Sequence, residues 1–310
     1  MVLVIRFLRQ PKLWVTLASV VFIAVAALQQ GDQLRQQNLD GRGWLWLVLG
    51  FGFSWLSIVI NGVSWKVLVG WLGHSTDRFE LIPLFVRTNV LKYLPGGIWH
   101  LVERVRVLRQ SVGAAPAMAA VLLDPLLIVS AASLLLLPGG WQNGLACLAP
   151  LPAILMMPRW REPLLRRLES SKASQLEPAE PGVLPNDYPL GSGRGGYPWS
   201  PLLWDLGFVS CRFVGFFCCV QAFRVEGALV GSWLAAFALA YSVGLVVPGA
   251  PGGLGVFEAT LLMRLGAGVP EAGLLAVVLS YRLVSTLADL VAAGALEMDR
   301  LLWLRFGPKR

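Results

Sequence analysis

Six ionisable residues interrupt otherwise apolar stretches of the sequence, and their types allow them to bind charged ligands. They are Asp124, Asp205, Arg212, Glu258, Arg282 and Asp289. A charge at the centre of a membrane-spanning helix costs roughly 2.5–3.5 kcal/mol on insertion scales. We therefore expect these side chains to face an internal cavity, where they either contact a ligand or form interhelical ion pairs that only fix packing.

The spacing of these charges limits which groups they can contact. Asp205 and Arg212 are seven residues apart, as are Arg282 and Asp289, so each pair lies on nearly one face of a helix. Seven residues correspond to about 10 Å of helical rise, too far for a direct ion pair along one helix. Their partners must come from other helices or from a ligand.

A Pro-Gly-Gly break occurs twice, half the chain apart, at Pro95-Gly96-Gly97 and at Pro251-Gly252-Gly253. Each break is followed by a second proline about 20 residues later, Pro116 and Pro270, and then by a long apolar stretch, which indicates a weak internal repeat. Proline removes an amide donor, so such a break leaves free backbone groups, which membranes tolerate only where protein or a water-filled cavity satisfies them. Paired breaks favour a transporter binding site, although tight turns at the membrane surface are the alternative.

Basic residues surround the first break, and no metal or cofactor site accompanies them. Lys92, His100, Arg104, Arg106 and Arg109 would suit an anionic headgroup, or could equally anchor the chain on the cytoplasmic side. The only other histidine is His74, and the four cysteines lie within apolar runs as expected core residues, without metal-ligand spacing. We predict neither a metal ion nor a cofactor.

The elements that position these residues must be membrane helices. Hydrophobic residues make up 56% of the 310 residues, charged residues only 14%, and the mean hydropathy is +0.64, whereas soluble domains carry roughly 25% charge. The net charge of +8 is explained by basic loops between apolar runs rather than by a nucleic-acid surface. Apolar spans are predicted at residues 13–28, 44–65, 112–137, 141–157, 201–223, 228–247 and 271–298, with broken segments at 79–102 and 248–265.

The basic residues set the expected topology. Arg6, Arg9 and Lys12 precede the first span and place the N-terminus in the cytoplasm. That span could also be a cleaved signal peptide. Seven crossings would put the basic C-terminus outside, so we prefer eight, with one broken segment crossing fully. The predicted fold is all-α and polytopic, with about seven or eight transmembrane helices and two re-entrant-like segments.

Composition divides the chain into two membrane halves. Residues 1–158 form the first half and residues 201–310 the second. Residues 159–200 are rich in Pro, Gly, Ser, Glu and Arg, which predicts a flexible cytoplasmic linker. Many tryptophans, Trp44, Trp65, Trp199 and Trp303 among them, fall near predicted span ends, as an interfacial aromatic belt requires.

Around the two breaks the sequence resembles the lysylphosphatidylglycerol synthase transmembrane-region family, which is similar to the flippase half of the bacterial multiple peptide resistance factor. The matching residues are Asn89, Lys92, Tyr93, Leu94, Pro95, Gly96, Gly97, Trp99 and His100, then Pro248, Pro251, Gly252, Gly253, Gly255, Phe257, Glu258, Tyr281 and Arg282. The resemblance implies a protein of the inner membrane that moves or handles lipids. No synthase domain follows Met298, so aminoacyl transfer to a lipid is not expected.

Three functions remain open from the sequence. The first is a lipid translocase, in which Arg212, Arg282 and the Lys92 region attract phosphate while a carboxylate balances charge or carries a proton. The second is a membrane-embedded transferase, disfavoured because no ATPase, synthase or hydrolase motif occurs. The third is a non-catalytic subunit of a lipid-modifying or glycosyl-transferring membrane enzyme; homo-oligomers are also possible. The predicted substrate-binding residues are Asn89, Lys92, Tyr93, Pro95, Gly96, Gly97, Trp99, His100, Asp124, Arg212, Pro251, Gly252, Gly253, Glu258, Tyr281, Arg282 and Asp289.

Overall fold

The structure is a computed structural model that describes residues 39–74, 80–94, 98–139, 147, 149–161, 163, 196–247, 253 and 255–306, with side chains to residue 303. Every regular element within these ranges is helical, as the sequence predicts. The predicted first span at residues 13–28 and most of the predicted linker at residues 159–200 lie outside the described residues.

The α-helices that can be bounded in the described residues are numbered here in chain order. They are α1 (Gly41–Trp71), α2 (Leu81–Asn89), α3 (Trp99–Val112), α4 (Ala114–Leu134), α5 (Leu151–Leu155), α6 (Trp199–Ala222), α7 (Val230–Val246), α8 (Val256–Leu265) and α9 (Glu271–Phe306). Turns of 3₁₀ helix follow α2 at Val90–Tyr93 and α4 at Leu137–Gly139.

Four helical stretches in the described residues are long and apolar enough to cross a membrane. They are Gly41–Trp71, Ala114–Gly139, Trp199–Ala222 and Glu271–Trp303. These agree with four of the predicted spans, and α7 accounts for a fifth, although its 17 residues are fewer than the roughly 20 of a straight crossing. In the predicted span at residues 141–157, the described residues contain the five-residue helix α5. The chain is a multi-pass helical membrane protein.

Close backbone contact joins α1 to α6. A Cβ atom added at Gly50 would lie 3.0 Å from the carbonyl oxygen of Gly215, and one added at Gly215 would lie 2.7 Å from Ser54 Oγ. About four turns after Gly50 along α1, Ser64 Oγ donates a hydrogen bond to the carbonyl of Pro201 at 3.3 Å. Contacts that advance along one helix while receding along the other define an antiparallel pair. Small residues permit this approach, as is usual between membrane helices.

The first broken segment is interrupted where the sequence predicts. Leu94, which ends the 3₁₀ turn, has an extended backbone with ψ 146°, the conformation that a following proline imposes. Helix α3 then begins at Trp99. Pro95, Gly96 and Gly97 themselves lie outside the described residues.

The second broken segment has a comparable start. Val247, before Pro248, is extended with ψ 113°. Gly253 and Gly255 have φ values of +70° and +80°, a region that glycine occupies without the steric cost that a Cβ brings. Helix α8 begins directly afterwards. Pro248, Pro251 and Gly252 lie outside the described residues.

The tryptophans divide into exposed and core residues. Trp44, Trp199 and Trp303 are exposed near helix ends, in line with an interfacial role. The prediction that Trp65 marks a span end is wrong, because α1 continues to Trp71 and Trp65 is fully buried, with its ring 5.8 Å from that of Phe85.

Candidate functional site

Asp289 on α9 lies at the centre of a buried polar cluster that joins the two halves of the chain. Its Oδ1 accepts hydrogen bonds from Asn89 Nδ2 at 3.1 Å and from Arg212 Nη2 at 3.2 Å. Its Oδ2 accepts one from Tyr93 OH at 2.6 Å and lies 2.6 Å from Lys92 Nζ. We call these five residues the Asp289 cluster. Three of its members immediately precede the first break, so that motif is held by the second half of the chain.

The Asp289 cluster contains two cations for one carboxylate. The Asp289 side chain is 0% exposed and that of Arg212 5%, whereas Lys92 retains 21% exposure beside the break. Asp289 accepts four donors, which fills its capacity. Nε and Nη1 of Arg212 are buried without an acceptor among the described residues. Because buried donors are normally satisfied, the Arg212 guanidinium retains capacity for a further anion.

A second buried ion pair joins α3 to α4. Arg104 Nη1 lies 3.2 Å from Asp124 Oδ2, and Arg104 Nε donates to Thr88 Oγ1 at 3.2 Å. The guanidinium also stacks on Phe85, 3.6 Å from the ring centroid. Arg104 and Asp124 are 2% and 4% exposed. This burial excludes the cytoplasmic anchoring role that the sequence left open for Arg104.

Asp205 on α6 adds a second carboxylate to this ion pair. It is 1% exposed and interacts electrostatically with Asp124. Its Oδ1 is buried and has no hydrogen-bond partner among the described residues. We call Arg104, Asp124 and Asp205 the acidic cluster, because it contains two carboxylates for one cation.

The two clusters form one polarised network. Lys92 and Arg104 are near enough to interact electrostatically, which connects the clusters. The three cations and three carboxylates of the network cancel in number, but the cations predominate around Asp289 and the carboxylates around Asp124. Unsatisfied donor atoms occur at the cation-rich end, on Arg212, and an unsatisfied acceptor at the other end, on Asp205.

Arg282 links α9 to the second break. Its Nε is 2.5 Å from Glu258 Oε1 and its Nη2 is 3.3 Å from Glu258 Oε2, a two-pronged contact. Nη2 also donates to the carbonyl of Gly253 at 2.8 Å. A backbone carbonyl that the break leaves outside a helix is thus satisfied by a protein side chain, as a membrane interior requires.

Each half of the chain contains a charge pair at the same place after its break, with the positions of the cation and the carboxylate exchanged. In the first half, Arg104 on the short helix after the break pairs with Asp124 on the long helix that follows. In the second half, Glu258 on the short helix after the break pairs with Arg282 on the long helix that follows. In each half, the helix that follows the break is fixed to its successor by a charge pair.

One family model, described as "Lysylphosphatidylglycerol synthase TM region", matches residues 12–293. The chain belongs to this family. The match covers both breaks and all the charged side chains described above. No curated protein matches the chain. The resemblance inferred from the sequence motifs is therefore confirmed for almost the whole chain.

The remaining motif residues of this family member lie in different surroundings. Trp99 is about half exposed at the start of α3, and His100 beside it is partly buried. Tyr281 is 3% exposed, and its ring contacts those of Phe216 and Phe257 at centroid distances of 5.4 and 5.8 Å. Tyr281 thus packs within an aromatic core beside Arg282.

Two residues of the network were not among the predicted site residues. The sequence shows Asp205 as an embedded charge but does not assign it to a site, and it places Arg104 in the same basic group as Arg106, which is exposed. The helical pattern could have separated the arginines, because Arg104 shares its face with Leu108 and Val112, both buried.

The described residues contain no group of three or more His, Cys, Asp or Glu side chains that could hold a metal ion. Cys218 and Cys219 are buried on α6, whereas Cys147 is exposed, contrary to the expectation that it is a core residue.

Partial burial lowers the pKa of His74, just after α1, so its ring is neutral at neutral pH.

Proposed function

We propose that this protein is a lipid translocase of the bacterial inner membrane that handles a charged phospholipid or another lipid-linked substrate. The observation that carries the proposal is the excess positive charge of the Asp289 cluster, where two buried donor atoms of Arg212 lack an acceptor. A phosphate group supplies the charge and the acceptor oxygens that such a site lacks.

Lys92 is the entrance to the site. It is the most exposed of the three charged residues in the Asp289 cluster, and it lies three residues before Pro95. A headgroup enters beside the break and contacts Lys92 first and Arg212 second, while its acyl chains remain in the bilayer. The breaks act as re-entrant segments, in a protein with seven or eight spans and a cytoplasmic N-terminus.

The charge network also argues against a purely structural role for these residues. Buried ion pairs contribute little net stability compared with well-packed apolar residues. A cluster with unequal charges is costlier than a balanced pair, because the excess charge has lost its hydration. Binding an anion compensates that cost, which gives the imbalance a function.

The test uses purified protein in vesicles that contain a fluorescent anionic phospholipid in both leaflets. A membrane-impermeant quencher then reports how fast lipid reaches the outer leaflet. We expect Lys92→Gln and Arg212→Gln each to slow movement about 10- to 100-fold, since a hydrogen bond to a charged group is worth about 1.5–3 kcal/mol. Arg300→Gln is the matched control, because Arg300 is exposed at the end of α9.

Lys92→Gln guards against a folding artefact, because the partly exposed Lys92 can be replaced with less damage than Arg212. Absence of lipid movement with the original protein would refute the proposal, as would equal rates for Lys92→Gln and Arg300→Gln. Stoichiometric co-purification with a membrane enzyme, combined with unimpaired function of both cluster variants, would favour the non-catalytic subunit instead.

A further inference from the structure

We propose that Asp124 and Asp205 together form a proton-binding site that is linked to the headgroup site of the Asp289 cluster. The proposal rests on the proposed function for the identity of the anion at the cation-rich end. The proton site itself rests on the geometry of the acidic cluster alone.

The first argument is the imbalance of charge and hydrogen bonds around Asp205. Asp205 is 1% exposed, its Oδ1 has no hydrogen-bond donor among the described residues, and the charge that acts on it is that of another carboxylate, Asp124. Arg104 forms its ion pair with Asp124 rather than with Asp205. Two neighbouring buried carboxylates with only one cation beside them cannot both remain charged without a large free-energy cost. Binding of one proton removes that cost.

The groups around the pair are compatible with a protonated Asp205. Ser64 on α1 lies within hydrogen-bond reach of Asp205, and its hydroxyl donates to the carbonyl of Pro201. Since a hydroxyl has a single proton, its oxygen can accept a hydrogen bond from a protonated carboxyl. The other ionisable groups that interact with the pair are Arg104 from α3 and Tyr241 from α7, and Tyr241 also lies within hydrogen-bond reach of Arg212.

A proton suits this site better than a larger cation. Asp124, Asp205 and Arg104 are all at most 4% exposed, which leaves little room for an ion with its ligands. A metal ion would need more oxygen ligands than the two carboxylates provide. The described residues contain no group of three or more His, Cys, Asp or Glu side chains that could supply them. A proton needs only the unpaired oxygen of Asp205.

The proton site is linked to the headgroup site because one residue of each, Asp205 and Arg212, lies on α6. Asp205 and Arg212 are seven residues apart, about 10 Å along the helix. An anion bound at Arg212 therefore increases the proton affinity of the carboxylate pair. Coulomb's law at about 10 Å and an effective dielectric constant of about 20 makes this increase about tenfold, or about one pH unit.

The sequence of events conserves charge. At a pH between the midpoints of the empty and the occupied site, binding of the anionic headgroup to Lys92 and Arg212 is accompanied by uptake of a proton from water, which forms an O–H bond with the carboxylate pair. When the headgroup leaves, that bond breaks and the proton returns to water. Lipid and proton then move together, so a pH gradient drives lipid movement without ATP.

Infrared spectroscopy of the full chain in phosphatidylcholine vesicles tests the proton site without any transport. At neutral pH we expect the carbonyl band of a protonated carboxyl group, which Asp205→Asn or Asp124→Asn removes. Asp299→Asn is the matched control, because Asp299 is an exposed aspartate of α9. Asparagine resembles the protonated acid in shape and neutrality, so Asp205→Asn should fold. A spectrum that neither variant changes would overturn the proposal.

The link is tested by the pH at which the band is half lost. We expect this midpoint to rise by about one pH unit when phosphatidylglycerol replaces phosphatidylcholine, and the rise to vanish in Arg212→Gln. An equal rise in Arg212→Gln would show a membrane surface effect and overturn the link. If the band behaves as expected but no lipid moves in vesicles, the proposed function fails while the proton site stands.

Discussion

Replacing Asp289 by asparagine should destabilise the protein strongly, because it leaves two buried cations without their shared counter-charge. With an effective dielectric constant of about 20, charges separated by 2.6 Å and 3.2 Å, the distances to Lys92 and Arg212, attract by about 6 and 5 kcal/mol. Much of this attraction is offset because a neutral side chain costs less to bury. Breaking a buried pair by removing one partner costs about 3–5 kcal/mol, and we expect a loss in that range.

The measurement is the free energy of reversible unfolding of the purified chain in mixed micelles. Asp299→Asn is the control, with an expected change within about 0.5 kcal/mol because Asp299 is exposed. Adding Arg212→Gln to Asp289→Asn should cost about 1–3 kcal/mol less than the sum of the single changes, since the two residues are in contact. If the two aspartate variants were equally stable, or the double variant additive, the Asp289 cluster would not hold the halves together.

Three other changes test the packing and the second ion pairs. Gly50→Leu should lower the free energy of unfolding by about 1–3 kcal/mol, because its Cβ would meet the backbone of α6 at 3.0 Å. The control is Gly52→Leu, which should be nearly neutral because a Cβ there has nothing within 4 Å. Equal losses in the two variants would refute the close contact between α1 and α6. Arg282→Gln should lower the free energy of unfolding by about 1.5–3 kcal/mol in the same assay. The control Arg300→Gln breaks an exposed ion pair and should cost less than about 1 kcal/mol. The reverse order would contradict the conclusion that Arg282 stabilises the second break. The melting temperature of Arg104→Gln should rise as pH falls, because protonation removes the repulsion between two buried carboxylates that have lost their cation. The folded state of this variant then binds more protons than the unfolded state. A melting temperature that does not change with pH would contradict the acidic cluster.

The sequence was informative about which residues matter because lipid penalises charge. Arg212, Arg282 and Asp289 stand out in apolar stretches, and their spacing indicates that each needs a partner from another helix or from a ligand. The structure supplies those partners: Arg212 bonds to Asp289 across α6 and α9, and Arg282 to Glu258 across α8 and α9. Local rules also placed both breaks, since proline constrains the residue that precedes it.

The pairing itself could not be predicted, because it depends on how helices distant in sequence pack. Asn89 and Asp289 are separated by two hundred residues, and nothing local in either segment specifies the other. The same reason explains Trp65, whose aromatic character suits both an interface and a core. Its contacts with residues distant in sequence, Phe85 on α2 and Arg104 on α3, place it in the core.

Helix α9 contacts residues at both breaks. Asp289 holds Lys92 and Tyr93 before the first break, while Arg282, about 10 Å away on the same helix, holds Gly253 in the second. An anion that competes with Asp289 for Lys92 would release the first break while the second remained clamped. Because both contacts lie on α9, we expect a change at one break to alter the contacts at the other, which is the coupling that the proposed translocation needs between the two halves.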